Sequence, residues 1–333
     1  MRRSIRRAFT ALFLPSALTL TACAGVDGRN IPASISIPLA ETESPTLKLG
    51  ELIYRGGLHL RDQNAEFGGL SSLRVSPDGS QFMAITDKGS RVAGRLHYDR
   101  QGALSAADGF TIGPLLDVDG GAVGFGKNDS EGLAIIGDWP GDGWVVSFER
   151  DHRLLRYPSA LAGVVPQRLE GPAGLADLDF NSGIETLLTL ADGRLFLLAE
   201  GGDDAGRHQG WVGRSGAWQH FTYQGLPPFL PVDAARLPDG GVLVLERRVG
   251  LLGGWGNRIV HIDAATLKAG AVEGGQVQGR EIARLNPPMN VDNFEGIDVR
   301  RAADGRLLVY ILSDNNFLFL QRTLMMMFEW PGK

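Results

Sequence analysis

Glu131-Gly132-Leu133-Ala134-Ile135-Ile136, a turn from Gly137 to Gly143, and Trp144-Val145-Val146-Ser147-Phe148-Glu149 together describe a β-hairpin. Two short apolar strands flank a Gly, Pro and Asp turn, and an acid stands at each end. The same phrase occurs five times, at Ser71 to Asp87, Glu131 to Glu149, Glu185 to Glu200, Asp233 to Glu246 and Glu295 to Asp314. Four copies turn on an Asp-Gly pair, in Pro77-Asp78-Gly79, Ala191-Asp192-Gly193, Pro238-Asp239-Gly240 and Ala303-Asp304-Gly305. Such a pair supplies the positive-φ position that a tight turn needs. Self-similarity at a spacing of roughly 50 residues marks a radial or stacked repeat.

These strands are more apolar than a hairpin with one wet face requires, so neighbouring sheets must cover both sides. Further strand-like segments follow each hairpin, among them Arg95 to Tyr98 with Phe110 to Leu115, and Arg258 to Asp263 with Arg280 to Leu285. Four strands per repeat describe the blade of an all-β propeller. Five blades are counted, and six are possible if a long connection hides a degenerate copy. The last copy lacks an outer strand, which Gly50 to Leu60 can supply. An N-terminal strand would then close the ring and bring the ends of a single domain, residues 48–333, together.

The N-terminus is read apart from the fold. Arg2, Arg3, Arg6 and Arg7 precede an apolar stretch from Ala8 to Leu20, and Leu20-Thr21-Ala22-Cys23 follows. This is the pattern of a signal peptide, residues 1–22, with a lipobox ending at Cys23. Arg6-Arg7-Ala8-Phe9 also resembles a twin-arginine signal, which leaves the export route open. Cys23 is the only cysteine, which suits a lipidated anchor and excludes an intrachain disulfide. The apolar stretch is short for a bilayer span and contains Pro15. Membrane attachment through lipidated Cys23, on the periplasmic or surface side of a bacterial cell envelope, is therefore expected. Residues 23–47 read as a flexible tether. A net charge of −5 and a pI near 5.7 provide no basic field for nucleic acid.

In an antiparallel hairpin the start of the first strand and the end of the second lie at the same end of the sheet. The repeat thus becomes a ring of acids at one channel mouth: Glu131 with Glu149, Glu185 with Glu200, Asp233 with Glu246, Glu295 with Asp314, and Asp87 facing Ser71. Such crowding requires compensation, because like charges oppose each other's ionisation. Two readings stay open. Either the oxygens hold a hard metal, Ca²⁺ or Mg²⁺, or Lys88, Arg150, Arg207, Arg247, Arg248 and Arg322 pair with them. On the metal reading Asp87, Glu149, Glu200, Asp233, Glu246 and Asp314 are ligands, while Glu131, Glu185 and Glu295 act as ligands or catalytic bases. Arg247 and Arg322, with Asn316, would orient a phosphorylated small molecule. The sequence contains no G-x-S-x-G elbow and no H-E-x-x-H pair, and no motif requires an organic cofactor.

Gly68-Gly69-Leu70-Ser71, Asp129-Ser130-Glu131-Gly132-Leu133, Asn293-Phe294-Glu295-Gly296-Ile297 and Ser313-Asp314-Asn315-Asn316-Phe317 resemble phrases of the bacterial phytase-like family, esterase-like activity of phytase. The likeness runs from about residue 65 to 328 and continues through Gln321-Arg322-Thr323-Leu324. It implies a secreted or envelope propeller with phosphoester or ester hydrolysis. Calcium-dependent propeller phytases carry an Asp-Ala-x-x-Trp motif, of which only Asp233-Ala234 is present here. A non-catalytic envelope lipoprotein that binds a sugar, peptide or protein is the alternative.

Overall fold

Leu243 and Leu245 pack toward one neighbouring sheet and Val242 and Val244 toward the other, so one strand serves two cores. This is the period-two alternation of a strand, with apolar residues on both faces because both faces are covered. The same arrangement holds around the molecule, in which five hydrophobic clusters fill the junctions between sheets. Each fully buried Leu, Val or Phe contributes roughly 1.5–3 kcal/mol, so the junctions carry the stability of the fold.

The protein, seen as a computed structural model, is described at residues 32–41, 48–137, 139–158, 163–250 and 254–331. The signal peptide, the lipobox and Cys23 lie outside the described residues. Five blades form the ring. The first contains Leu70–Val75, Gln81–Thr86, Ser90–Tyr98 and Leu104–Pro114. The second contains Ser130–Ile136, Gly143–Phe148, Arg153–Tyr157 and Gln167–Leu169. The third contains Ile184–Thr189, Leu195–Gly202, Arg207–Arg214 and Ala217–Gln224, and the fourth contains Leu230–Arg236, Val242–Gly250, Gly254–Ile262 and Arg280–Leu285. The fifth combines Asn293–Arg301, Leu307–Asp314 and Leu324–Trp330 with the N-terminal strand Leu52–Leu60. Met325 stands opposite Leu58 in that antiparallel closure. The N-terminal closing strand is thus as expected, paired with Leu324–Trp330, with five blades and not six.

Two blades carry additional strands at the rim. Gly275–Gln278 pairs in parallel with Ala217–Gln224; it is delivered by the short helix Ala264–Gly270, whose N-cap Asp263 accepts from the Thr266 amide. Ser34–Ile37 pairs with Leu52–Leu60, so this part of the segment expected as tether belongs to the fifth blade. Both additions cover backbone that would otherwise be an open sheet edge.

Candidate functional site

Each innermost strand carries a β-bulge near its first residues, at Leu70/Ser72, Ser130/Leu133, Ile184/Thr186, Pro231/Asp233 and Phe294/Gly296. A bulge re-aims a side chain out of the regular pleat. The residues skipped by pairing include Ser71, Glu131, Glu185, Val232 and Glu295, one per blade. On the neighbouring strands Thr86, Phe148, Ala199, Glu246 and Ser313 stand opposite the residues just before these bulges. The next residues are Asp87, Glu149, Glu200, Arg247 and Asp314.

The fourth blade therefore departs from the expected ring by one residue. Val232 occupies its bulge and is buried in the junction with the fifth blade. Asp233 points inward below the rim, where it is fully buried against Arg74 at 3.0 Å. Glu246 is also fully buried, accepting from the Tyr223 hydroxyl at 2.5 Å and pairing with Arg258. Neither acid faces the mouth, which corrects their expected placement as metal ligands. No fixed count from the turns gives the offset: seven residues after the turn glycine stands Glu200 in the third blade and Arg247 in the fourth, but Thr86 in the first and Leu312 in the fifth.

Seven of the expected carboxylates do line one cup: Asp87, Glu131, Glu149, Glu185, Glu200, Glu295 and Asp314. Asp129 and Asp292, which the hairpin repeat does not include, join them through electrostatic coupling to Glu131 and Asp314. Arg247 sits among them. Its Nη2 lies 2.9 Å from Glu200 and 3.5 Å from Glu185, and its Nη1 lies 2.6 Å from Glu295. Nη1 also donates to Asn293 Oδ1 at 2.7 Å. Both terminal nitrogens of the group expected to orient phosphate are thus already engaged. Elsewhere on the rim, Arg150 pairs with Asp129 at 2.8 Å and Lys88 Nζ lies 3.0 Å from the Phe317 ring centroid. Arg322 is a half-exposed neighbour of Asp292, donating its amide to Oδ2 at 2.9 Å and its Nη2 to Asn290 at 3.1 Å. Asn316, held at φ 47°, donates its amide to Asp314 Oδ1 at 2.7 Å.

Of the pairing cations proposed from sequence, Arg207 and Arg248 turn elsewhere. Arg207 binds Asp203 and Arg248 binds Asn286.

The floor of the cup is closed. Arg74 reaches across the channel to Asp233 on the fourth blade, Leu187 O on the third at 2.6 Å and Ile297 O on the fifth at 3.1 Å. Ser72 and the Ile297 amide also donate to Asp233. One guanidinium therefore ties four innermost strands, counting its own, and separates the acidic cup from the opposite end.

The electrostatics follow from this enclosure. Burial, reinforced by Asp314 and Asp129, pushes Asp87 up to about 7. Burial also pushes Glu149 up to about 7 against the opposing hydrogen bond from the Gly183 amide, 2.7 Å away. Glu295 rises to about 8 and Asp314 to about 6, in both cases chiefly by burial. Burial and then Glu185, Asp129, Glu295 and Glu149 hold Glu131 well above the carboxylate range. Glu185 is raised likewise, by burial first and Glu200 second. One oxygen of Asp129 lies within 4.8 Å of one of Glu131, so each carboxylate opposes the other's ionisation.

Two trios could hold a metal ion: Asp129, Glu131 and Glu149, and Glu149, Glu185 and Glu200. In each, one oxygen per residue lies within 4.8 Å of the others. Asp87 Oδ1 is buried without a hydrogen-bond partner among the described residues. An all-oxygen, anionic set of this kind fits a hard cation, which takes six to eight oxygens in the case of Ca²⁺.

Among solved structures, a luciferin-regenerating enzyme shares 11% identity over 81% of this chain and 94% of its own, with a TM-score of 0.41. An α-L-arabinofuranosidase from Podospora anserina shares 11% over 81% and 93%, with a TM-score of 0.44. A protein of unknown function from Dyadobacter fermentans shares 14% over 78% and 75%, with a TM-score of 0.40. Likenesses at this level carry no argument about activity. No curated protein matches the chain significantly. The phytase-like family model, esterase-like activity of phytase, matches residues 65–317, and with its five-bladed ring and acidic cup the chain belongs to that family.

Proposed function

We propose that the protein is an exported phosphoester hydrolase, anchored to the cell envelope through lipidated Cys23, with its site in the acidic cup. The observation that carries this reading is the pair of carboxylate trios sharing Glu149 at the mouth of a family propeller. Glu149, Glu185 and Glu200 would hold Ca²⁺, with Asp129 and Asp87 at its margin. The ion, when bound, supplies positive charge that neutralises a substrate phosphate and acidifies water.

The chain's own residues have distinct parts. Among the described residues Glu131 forms no ion pair with a cation, and burial with Glu185 and Asp129 beside it favours its protonated form, so it is placed to give a proton to a leaving group and take one back from water. Burial and the neighbouring carboxylates hold Glu131 well above the carboxylate range, which suits it to act as a general acid. Glu295 is oriented by Arg247 and Asn293 Nδ2, which donates to it at 2.8 Å. Arg322, partly exposed at the rim, is the cation with room to meet a phosphate.

The test uses phytate, aryl phosphates and carboxyl esters, with Ca²⁺ or with a chelator. Turnover that requires Ca²⁺ and falls about 100-fold in Glu131→Gln is expected. No turnover on any substrate, with Ca²⁺ binding retained, would replace this reading with that of a cation-binding envelope protein. Cys23→Ser should move the protein from the membrane fraction to the soluble one.

Thermal melts probe the cation independently of activity. The raised carboxyls retain protons in the folded state that they lose in the unfolded chain. Without a cation, stability must therefore fall as pH rises through the window from about 4 to about 8. At pH 8, Ca²⁺ at a hundredfold excess over its Kd should restore about 2.7 kcal/mol, on the order of 4 °C for a chain of this size. At pH 5 protons compete and the gain should shrink. Identical melts with Ca²⁺ and with chelator at pH 8 would rule the site out.

A further inference from the structure

At the opposite end of the channel, below the Arg74–Asp233 closure, lies a second cavity of about 560 Å³. The first-to-second strand turns of four blades frame it, through Pro77, Gly137, Gly193 and Pro238. Its walls differ in character. The second and third blades contribute Ile135, Trp139 and Leu188; the fourth and fifth contribute Arg236, Arg300 and Arg301.

Arg236 and Arg301 are exposed, and neither forms an ion pair with a carboxylate among the described residues. Arg300 is held in place, donating from Nε to the Tyr310 hydroxyl at 2.9 Å and lying over the Tyr98 ring. The turn acids are engaged within their own turns, and of the wall's arginines Asp78 meets the charge of Arg300. Asp78 accepts from Ser76 and Ser80, Asp192 pairs with Arg194, Asp239 accepts from the Gly241 amide, and Asp304 pairs with Arg306. Among the described residues Asp298 is the one acid lining the cavity, and the Val75 amide donates to it at 2.6 Å. The two ends of the propeller thus carry opposite character: carboxylates at one, the Arg236 and Arg301 guanidinium groups beside an apolar wall at the other.

We propose that this second cavity is a binding site for a small organic anion with an apolar body. The anionic group, a carboxylate, sulfonate or phosphate ester, lies against Arg236 and Arg301, and the body lies against Trp139, Ile135 and Leu188. The volume falls in the range of small-molecule sites, and a few polar groups in an apolar cavity are what fixes a ligand's orientation. Guanidinium groups suit planar or tetrahedral oxyanions because they offer paired donors. The proposal is independent of the reading of the acidic cup.

Naphthalene-2-sulfonate, which no hydrolase of either ester class can cleave, is the probe, titrated calorimetrically into the full-length protein at low salt. Saturable binding is expected. It should weaken at least fivefold in Arg236→Ala/Arg301→Ala and at least fivefold when naphthalene-2-sulfonamide, which is neutral, replaces the sulfonate. Glu131→Gln should leave it unchanged, which separates it from the cup. Absence of saturable binding at millimolar probe, a smaller loss in either comparison, or loss in Glu131→Gln would overturn the assignment. The sulfonamide comparison uses unmodified protein, so the result does not depend on how the variant folds.

Discussion

Arg74→Met should destabilise the protein by about 3–5 kcal/mol, the usual consequence of removing one partner of a buried ion pair. Asp233 would remain fully buried with its charge met only by Ser72 and the Ile297 and Ala234 amides. The carbonyls of Leu187 and Ile297 would lose their donor as well. For a chain of this length the shift in Tm is on the order of 10 °C. Adding Asp233→Asn to Arg74→Met removes the uncompensated charge, and the double variant should recover a substantial part of the loss. Chemical denaturation of the two single variants and the double variant measures the coupling. If Arg74→Met costs less than about 1 kcal/mol, or if the two losses simply add, Arg74 is not the tie that closes the channel.

The second large effect is expected at Arg247, and its sign depends on pH. At pH 8, Arg247→Met leaves Glu185, Glu200 and Glu295 facing one another without the guanidinium that lies within 3.5 Å of all three. A loss of about 3–5 kcal/mol is expected there. Without the cation, Glu185 and Glu295 should hold protons to still higher pH in the folded state. The variant's stability then falls more steeply with rising pH than that of the parent, by about 1.4 kcal/mol per pH unit for each additional proton retained. At pH 5 the carboxyls can take up protons at little cost, and the penalty should be small. Ca²⁺ at pH 8 should restore part of the loss by replacing the missing positive charge. Denaturation curves from pH 5 to 8.5 decide the matter, and a penalty independent of pH would mean that Arg247 contributes packing and not compensation.

These two arginines explain how a ring of acids survives in one fold. Arg74 closes the floor and consumes Asp233. Arg247 stands in the rim where the repeat would otherwise place a fourth acid pair. With Arg247 among the acids, the cup is partly compensated before any cation arrives, yet Glu131 and Asp87 remain outside its reach. Among the described residues, the part of the cup without an ion pair therefore lies toward the first and second blades, at Glu131, Glu149 and Asp87, while Asp129 beside them is paired with Arg150. Ser71, which stands where the other copies of the repeat begin with an acid, donates its hydroxyl to Ser130 O at 2.6 Å and joins the first two blades.

The sequence by itself determined the architecture, because the hairpin phrase is local. Alternating apolar residues set each strand, Asp-Gly pairs set the turns, and antiparallel pairing sends both flanking acids to one end. The strand missing after Leu324 to Trp330 could be read the same way, since an unpaired edge demands a partner and Leu52 to Leu60 can supply one. Seven carboxylates of the cup were legible for that reason. Which face a residue presents at a β-bulge was decided only in three dimensions, where a shift of one residue exchanges rim for core. In the fourth blade that shift buried Asp233 and Glu246 beside Arg74 and Arg258, and brought Arg247 to the rim. Pairings such as Arg74 with Asp233, 159 residues apart, leave no local trace in the chain. They exist because closing the ring brings the innermost strands together in a space where a charge must find its opposite.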